Sequence, residues 1–213
     1  MKLNKESLLL YAVTDRGWLG GHSLAEQVEA AVKAGATFVQ LREKDLDYDS
    51  FLEHAREIKA VTDRYGVPFV IDDNVRIAIT SGADGVHVGQ GDMEAGEVRR
   101  LIGSDRILGV SVQTPEQAVL AEQRGADYLG VGAVFTTSTK PDADTVSYDT
   151  LKKICAAVSI PVVAIGGIDK NNIMTLSGSG ISGIAVVSAI FAKPDVAAAT
   201  RELRRLAGIV VKA

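Results

Sequence analysis

The sequence predicts an α/β protein, a single closed (β/α)8 barrel, on three observations. Short apolar runs recur about every 20–30 residues, the spacing of strand–helix units. Nearly every run ends in charged, hydroxyl or glycine residues. No break in composition divides the 213 residues. In a parallel sheet the strand ends of one sense share one face, and a TIM barrel builds its site there. Residues 1–213 therefore read as a single TIM-barrel domain. A doubly wound open sheet is the alternative, because alternation of strand and helix does not by itself prove closure.

The eight strands are read, in order, as Leu8–Thr14, Phe38–Arg42, Pro68–Asp72, Gly85–Gly89, Ile107–Ser111, Tyr128–Val134, Pro161–Gly166 and Gly183–Ser188. Their near-continuous Val/Ile/Leu character suits strands covered on both faces. Between them, Ser23 is placed to cap a helix over 24–34, with Glu26 completing a capping box and Gly35 as the stop. Thr114-Pro115 opens a helix that Gly125 ends. Asp169 is expected to cap a helix after the seventh strand. A loose repeat precedes four strands: Ala34-Gly35-Ala36-Thr37, Ser81-Gly82-Ala83-Asp84, Arg124-Gly125-Ala126-Asp127 and Gly180-Ile181-Ser182-Gly183. Each reads as a helix-to-strand turn.

The bulk numbers exclude several classes. The chain is 46% hydrophobic and 23% charged, ordinary for a globular protein. A net charge of −4 argues against a broadly basic nucleic-acid surface, though not against a local cationic pocket for phosphate. No segment approaches the roughly 18 apolar residues of a membrane span, and the first residues lack a signal-peptide pattern. The chain reads as cytoplasmic. The single cysteine, Cys155, excludes an internal disulfide and reads as a small hydrophobe. No clustered Cys/His pattern points to zinc.

The strand ends carry the candidate chemistry. Arg42 and Lys44 flank Glu43, and Gln40 shares a strand face with Arg42. A bidentate Arg and a point-charge Lys suit a di- or triphosphate. Asp73 and Asp92 end neighbouring strands. One or two carboxylates, completed by water and phosphate, describe a Mg²⁺ site. Asp72 is a third candidate ligand or a hydrogen-bond acceptor, unless it merely caps the next helix. The hydroxyl-rich loop after the sixth strand offers Thr137, Thr139 and Lys140 to phosphate oxygens. Gly166-Gly167 and Val187-Ser188, after strands seven and eight, mark a second anion site, separate from the first. Two anionic substrates are therefore expected. His87, mid-strand, reads as a satisfied core histidine. Trp18, bracketed by Gly17, Gly20 and Gly21, reads as part of a mobile first loop.

Together these residues resemble the thiamine-phosphate synthase family. The matching stretches are Tyr11-Ala12-Val13-Thr14-Asp15, Gln40-Leu41-Arg42-Glu43-Lys44, Gly85 through Asp92, Leu108-Gly109-Val110-Ser111, Thr137-Ser138-Thr139-Lys140, Ala164-Ile165-Gly166-Gly167-Ile168 and Val187-Ser188-Ala189-Ile190. They run in family order over nearly the whole chain. The resemblance implies an enzyme that joins 4-amino-2-methyl-5-hydroxymethylpyrimidine diphosphate to a thiazole phosphate, releasing pyrophosphate. It implies that Gln40, Arg42, Lys44 and Lys140 bind the pyrimidine diphosphate, with Leu41, Glu43 and Asp72 also among the substrate-binding residues. It further implies that Asp73 and Asp92 hold Mg²⁺ and that Ser111 contacts the pyrimidine. Thr137, Ser138, Thr139, Gly167, Val187 and Ser188 would hold the thiazole phosphate. Arg42, Lys44, Ser111 and Lys140 are the implied catalytic residues. One position departs: the family usually has Asn where this chain has Asp72.

Pyrophosphate is a good leaving group once its charge is neutralised, and the pyrimidine amino group can delocalise positive charge at the methylene carbon. A dissociative path with no general base follows, resting on electrostatics and positioning. Two rivals stand beside it. A thiazole tautomerase shares the barrel but carries a histidine after the sixth-strand glycine, where Gly132 is here followed by Ala133. A non-catalytic phosphate-ligand binding protein would not need both a metal pair and two anion sites.

Overall fold

The computed structural model describes residues 3–136 and 145–213. Eight parallel strands close into a barrel in sequence order: β1 (Leu10–Val13), β2 (Phe38–Leu41), β3 (Phe69–Asp72), β4 (Gly85–Val88), β5 (Ile107–Val112), β6 (Tyr128–Val131), β7 (Val162–Ile165) and β8 (Gly183–Val186). Closure is made by β1 against β8, with Leu10 opposite Ile184 and Ala12 opposite Val186. That pairing removes the open-sheet alternative. All eight expected strands are present, each ending within a few residues of its expected limit.

Between the strands run α1 (Leu24–Lys33), α2 (Tyr48–Tyr65), α3 (Val75–Ser81), α4 (Ala95–Ile102), α5 (Pro115–Gln123) and α6 (Tyr148–Ala157). After β8 come the short α7 (Ser188–Phe191) and the long α8 (Val196–Val210). The capping box of α1 forms as expected: Ser23 Oγ accepts from the Glu26 amide at 3.1 Å, and Glu26 Oε2 accepts from the Ser23 amide at 2.7 Å. One expectation is corrected. No α-helix follows β7. The Asp169 carboxylate caps a turn, accepting from the Asn171 and Asn172 amides at 2.7 and 3.2 Å, and only a 3₁₀ turn, Ile173–Leu176, follows. The segment between Gly166 and Gly183 holds Gly178 and Gly180 at positive φ, which breaks a helix early.

The core has two layers, and strand alternation separates them. Outward residues such as Val39, Leu41, Ile71, Val86, Leu108 and Leu129 pack against the helices. Inward residues, including Tyr11, Phe38, Val70, Ile107, Tyr128 and Val163, fill the barrel itself. The rings of Tyr11, Phe38 and Tyr128 meet edge-on at 4.6–5.9 Å between centroids. Cys155 sits half-buried against the outer layer, where burial pushes its thiol up to about 11.

The repeat acquires a physical reason. Its fourth residue reaches sideways to the start of the preceding strand. Thr37 Oγ1 accepts from Leu10 N (2.9 Å), Asp84 Oδ2 from Phe69 N (2.9 Å) and Asp127 Oδ2 from Leu108 N (2.8 Å). Each satisfies a buried N–H that the barrel's lower rim leaves without a ladder partner. The fourth copy ends in Gly183, where a Cβ would collide with the carbonyl of Leu8.

Candidate active site

At the carboxyl ends of the strands lies a cavity of about 580 Å³. One wall is built by β2 to β5. Arg42 leaves β2 with its backbone fixed by Thr14, whose Oγ1 accepts from the Arg42 amide at 3.1 Å. Lys44 Nζ donates to Asp73 and lies 3.1 Å from Asp72 Oδ2, while Arg42 Nε is 3.8 Å from the same oxygen. Asp72 is largely buried. Burial raises its carboxyl against the opposing pull of Lys44 and Arg42. It does not cap the next helix; Asn74 does, its Oδ1 accepting from Ile77 N at 2.9 Å.

Asp73 has φ 59°, a left-handed conformation that Asp tolerates better than most residues. That turn sends consecutive carboxylates, Asp72 and Asp73, to the same cation. Asp92 Oδ2 accepts from Gly89 N at 2.8 Å. Its carboxyl is raised, by burial first and then by a hydrogen bond with the Asp73 carboxyl. Two like charges so close favour a shared proton or a shared cation. Among the described residues no group of three or more His, Cys, Asp or Glu side chains forms a metal cluster. A Mg²⁺ site needs only one or two carboxylates when phosphate and water complete it, and the hard oxygens of Asp73 and Asp92 fit that donor set.

The floor is polar. Gln40 and His87 are 5% and 8% exposed. His87 is a hydrogen-bonded interior histidine, as its place in the strand suggested: Nδ1 lies 2.9 Å from Tyr128 Oη and Nε2 lies 2.9 Å from Ser111 Oγ. Gln90 Nε2 donates to the Ser111 carbonyl at 2.7 Å. The far wall is Gly166, Gly167, Val187 and Ser188. Gly167 has φ 63°, and a Cβ there would strike the carbonyl of Thr136. Both expected anion sites thus open onto one cavity rather than two.

Two expected binding residues lie off the cavity wall. Leu41 is 0% exposed, in the layer between strands and helices, because alternation turns it outward between Gln40 and Arg42. Glu43 also turns away, with Oε1 buried and without a hydrogen-bond partner among the described residues. Burial raises its carboxyl, against the charges of Arg16 and His54. Thr137, Ser138, Thr139 and Lys140 lie outside the described residues. The first loop is more ordered than its glycines suggested: Asp15 caps a 3₁₀ turn over Arg16–Trp18, and Gln27 Nε2 donates to the carbonyls of Trp18 and Leu19. Sequence reasoning missed Tyr11, Gln113 and Ala133 as wall residues. Inward alternation from Gln40 across the β1–β2 register would have found Tyr11 and Val13.

A family model described as thiamine monophosphate synthase matches residues 10–190. The chain belongs to the thiamine monophosphate synthase family. It is 51% identical to a thiamine-phosphate synthase of Clostridium tetani over 194 residues, covering 91% of this chain and 93% of the relative. A thiamine-phosphate synthase of Ruminiclostridium cellulolyticum is 50% identical over 200 residues, covering 94% and 95%. The solved structure of a thiamine phosphate pyrophosphorylase from Pyrococcus furiosus superposes with a TM-score of 0.90 at 39% identity, over 97% of this chain and 98% of that one. Synthase activity, a group transfer in thiamine biosynthesis, goes with this membership. Ala133 lines the cavity wall. Among the described residues no helix is long and apolar enough to cross a membrane.

Proposed function

We propose that the cavity joins 4-amino-2-methyl-5-hydroxymethylpyrimidine diphosphate to a thiazole phosphate, with Mg²⁺ as cofactor, in the cytoplasm. One observation carries this reading. The Arg42/Lys44 cations with their three carboxylates and the Gly167/Ser188 wall face each other across one cavity. A pyrimidine diphosphate on the first and a thiazole phosphate on the second would bring the methylene carbon and the thiazole nitrogen together. The lone Cys155 accords with a cytoplasmic enzyme.

Arg42 and Lys44 exchange their carboxylate partners for diphosphate oxygens. The methylene C–O bond breaks with its electron pair leaving on pyrophosphate, and the pyrimidine amino group spreads the resulting positive charge. The thiazole nitrogen lone pair then forms the new C–N bond. No proton needs to move, so the residues act by charge and position. Asp73 and Asp92 would hold Mg²⁺, which when bound neutralises the leaving pyrophosphate. Ser111 contacts the pyrimidine, and Val187 and Ser188 with Gly167 hold the thiazole phosphate. Thr137, Ser138, Thr139 and Lys140 are assigned to the phosphates on the family resemblance.

The test is a product assay with both substrates. Thiamine phosphate and pyrophosphate should appear in equal amounts, only with both substrates present, and chelation of Mg²⁺ should stop the reaction. Isomerisation of the thiazole alone, with no pyrophosphate released, would instead assign a tautomerase.

A further inference from the structure

A continuous chain of hydrogen bonds crosses the barrel interior beneath the cavity. Gln40 Nε2 donates to Tyr11 Oη at 2.8 Å. Tyr11 Oη and Tyr128 Oη are 2.9 Å apart. Tyr128 Oη lies 2.9 Å from His87 Nδ1, and His87 Nε2 lies 2.9 Å from Ser111 Oγ. The chain therefore links β2 to β5 by way of β1, β6 and β4.

Its direction follows from its first member. An amide nitrogen only donates, so Tyr11 Oη accepts from Gln40, and its own proton goes to Tyr128 Oη, its other side-chain partner among the described residues. Tyr128 in turn donates to His87 Nδ1. Both phenols are buried and raised above their usual value, so they stay protonated. An imidazole that accepts at Nδ1 has a free lone pair there, so His87 is neutral in this chain. A neutral imidazole accepting at Nδ1 carries its proton on Nε2 and donates it to Ser111 Oγ. The Ser111 proton is then left for the cavity, whose wall Ser111 forms.

The barrel makes room for this chain at two strand positions. A Cβ on Gly109 would occupy the space of the Tyr128 hydroxyl and of His87 Nδ1. A Cβ on Gly130 would stand 3.1 Å from His87 Cε1 and 3.9 Å from Ser111 Oγ. Glycine weakens a strand interior, and here it marks close approach of other groups. The surrounding plug is otherwise apolar or aromatic.

We propose that Tyr11, Tyr128 and His87 are positioning residues that, with Gln40, orient the Ser111 hydroxyl as a hydrogen-bond donor to the bound heterocycle. Such a donor favours a ligand that presents an unprotonated ring nitrogen at that point. The inference deepens the proposed reading, since it names what Ser111 offers to the pyrimidine.

Two measurements test it. Long-range ¹H–¹⁵N spectra of histidine-labelled protein, with His87 assigned by its loss in His87→Gln, should show an Nε2–H imidazole. An Nδ1–H tautomer would reverse the chain and overturn the proposal. This readout needs no substrate, so it is independent of whether the substrate assignment holds. The second measurement is a double-mutant cycle on kcat/KM for the pyrimidine substrate. Tyr128→Phe and Ser111→Ala should each lose about tenfold, and the double variant should lose no more than Ser111→Ala alone. Tyr11→Phe should follow the same pattern more weakly. Additive losses would mean that Tyr128 acts on the fold rather than through Ser111, and would overturn the assignment.

Discussion

At the residue scale, the site concentrates its charge around Lys44. Asp72 and Asp73 both hold it, and Asp92 lies close enough to Asp73 for its own carboxyl to be raised. Asp92→Ala should lower turnover by about 100-fold or more, the scale of losing one preorganised charge-stabilising group. Near-native turnover at saturating Mg²⁺ would remove Asp92 from the metal assignment. Asp72 poses a finer question, because its carboxylate faces the same cations that a diphosphate needs. Asp72→Asn releases Lys44 and Arg42 from one competitor while keeping the shape. The variant should stay active, bind the pyrimidine diphosphate at least as tightly and depend less steeply on Mg²⁺. Turnover measured against both concentrations checks this, and a large loss would show that the carboxylate itself is required. Much of this cluster was legible, since Arg42, Lys44, Asp73 and Asp92 all follow the carboxyl ends of strands within a few residues. Leu41 and Glu43 were not, because adjacency in sequence gives no face: alternation turns Leu41 toward the helices, and beyond the strand end Glu43 obeys no period.

At the element scale, the repeat before the even-numbered strands shows what sequence could and could not convey. Its glycines announced the turns. Its fourth residues, Thr37, Asp84 and Asp127, gave no hint that each satisfies a backbone N–H of a different strand, because that partner lies 15 to 27 residues away. Asp127 serves two clients, accepting also from Arg99 Nη2 at 2.6 Å. Asp127→Ala should strand the buried Leu108 amide and cost about 2 kcal/mol, read from urea unfolding. Turnover at saturating substrate should hold, because the lower rim lies across the barrel from the cavity. The missing helix after β7 was equally hidden. Asp169 is a sound capping residue, but Gly178 and Gly180 end the segment before a helix can propagate.

At the scale of the whole molecule, closure of the barrel buries a neutral histidine at the floor of the cavity. His87 is pushed down to about 4 by burial, against the pull of the Asp92 carboxylate. In the unfolded chain it titrates near 6.5. Between those values the unfolded state binds more protons, so stability is full above about pH 6.5 and declines as the pH falls toward 4. The loss attributable to His87 should reach about 3 kcal/mol. His87→Gln should flatten this part of the profile, measured by urea unfolding at several pH values. An unchanged slope would place the acid sensitivity elsewhere. Closure itself was legible from eight alternating units without a break. The interior polar chain was only half legible: His87 read correctly as a satisfied core histidine, but its partners come from strands β5 and β6, which no local pattern connects.

The aromatic plug of Tyr11, Phe38 and Tyr128 turns the barrel into a vessel with a stopper at its base and, among the described residues, one neck at the carboxyl ends of its strands. Traffic through a single neck is sequential. The guest that lodges against Gln40, His87 and Ser111 at the bottom must arrive before its companion and cannot depart past it. Initial-rate kinetics should then be ordered, with the pyrimidine diphosphate entering first. Dead-end inhibition by a thiazole phosphate analogue, uncompetitive against that first guest, is the corresponding signature.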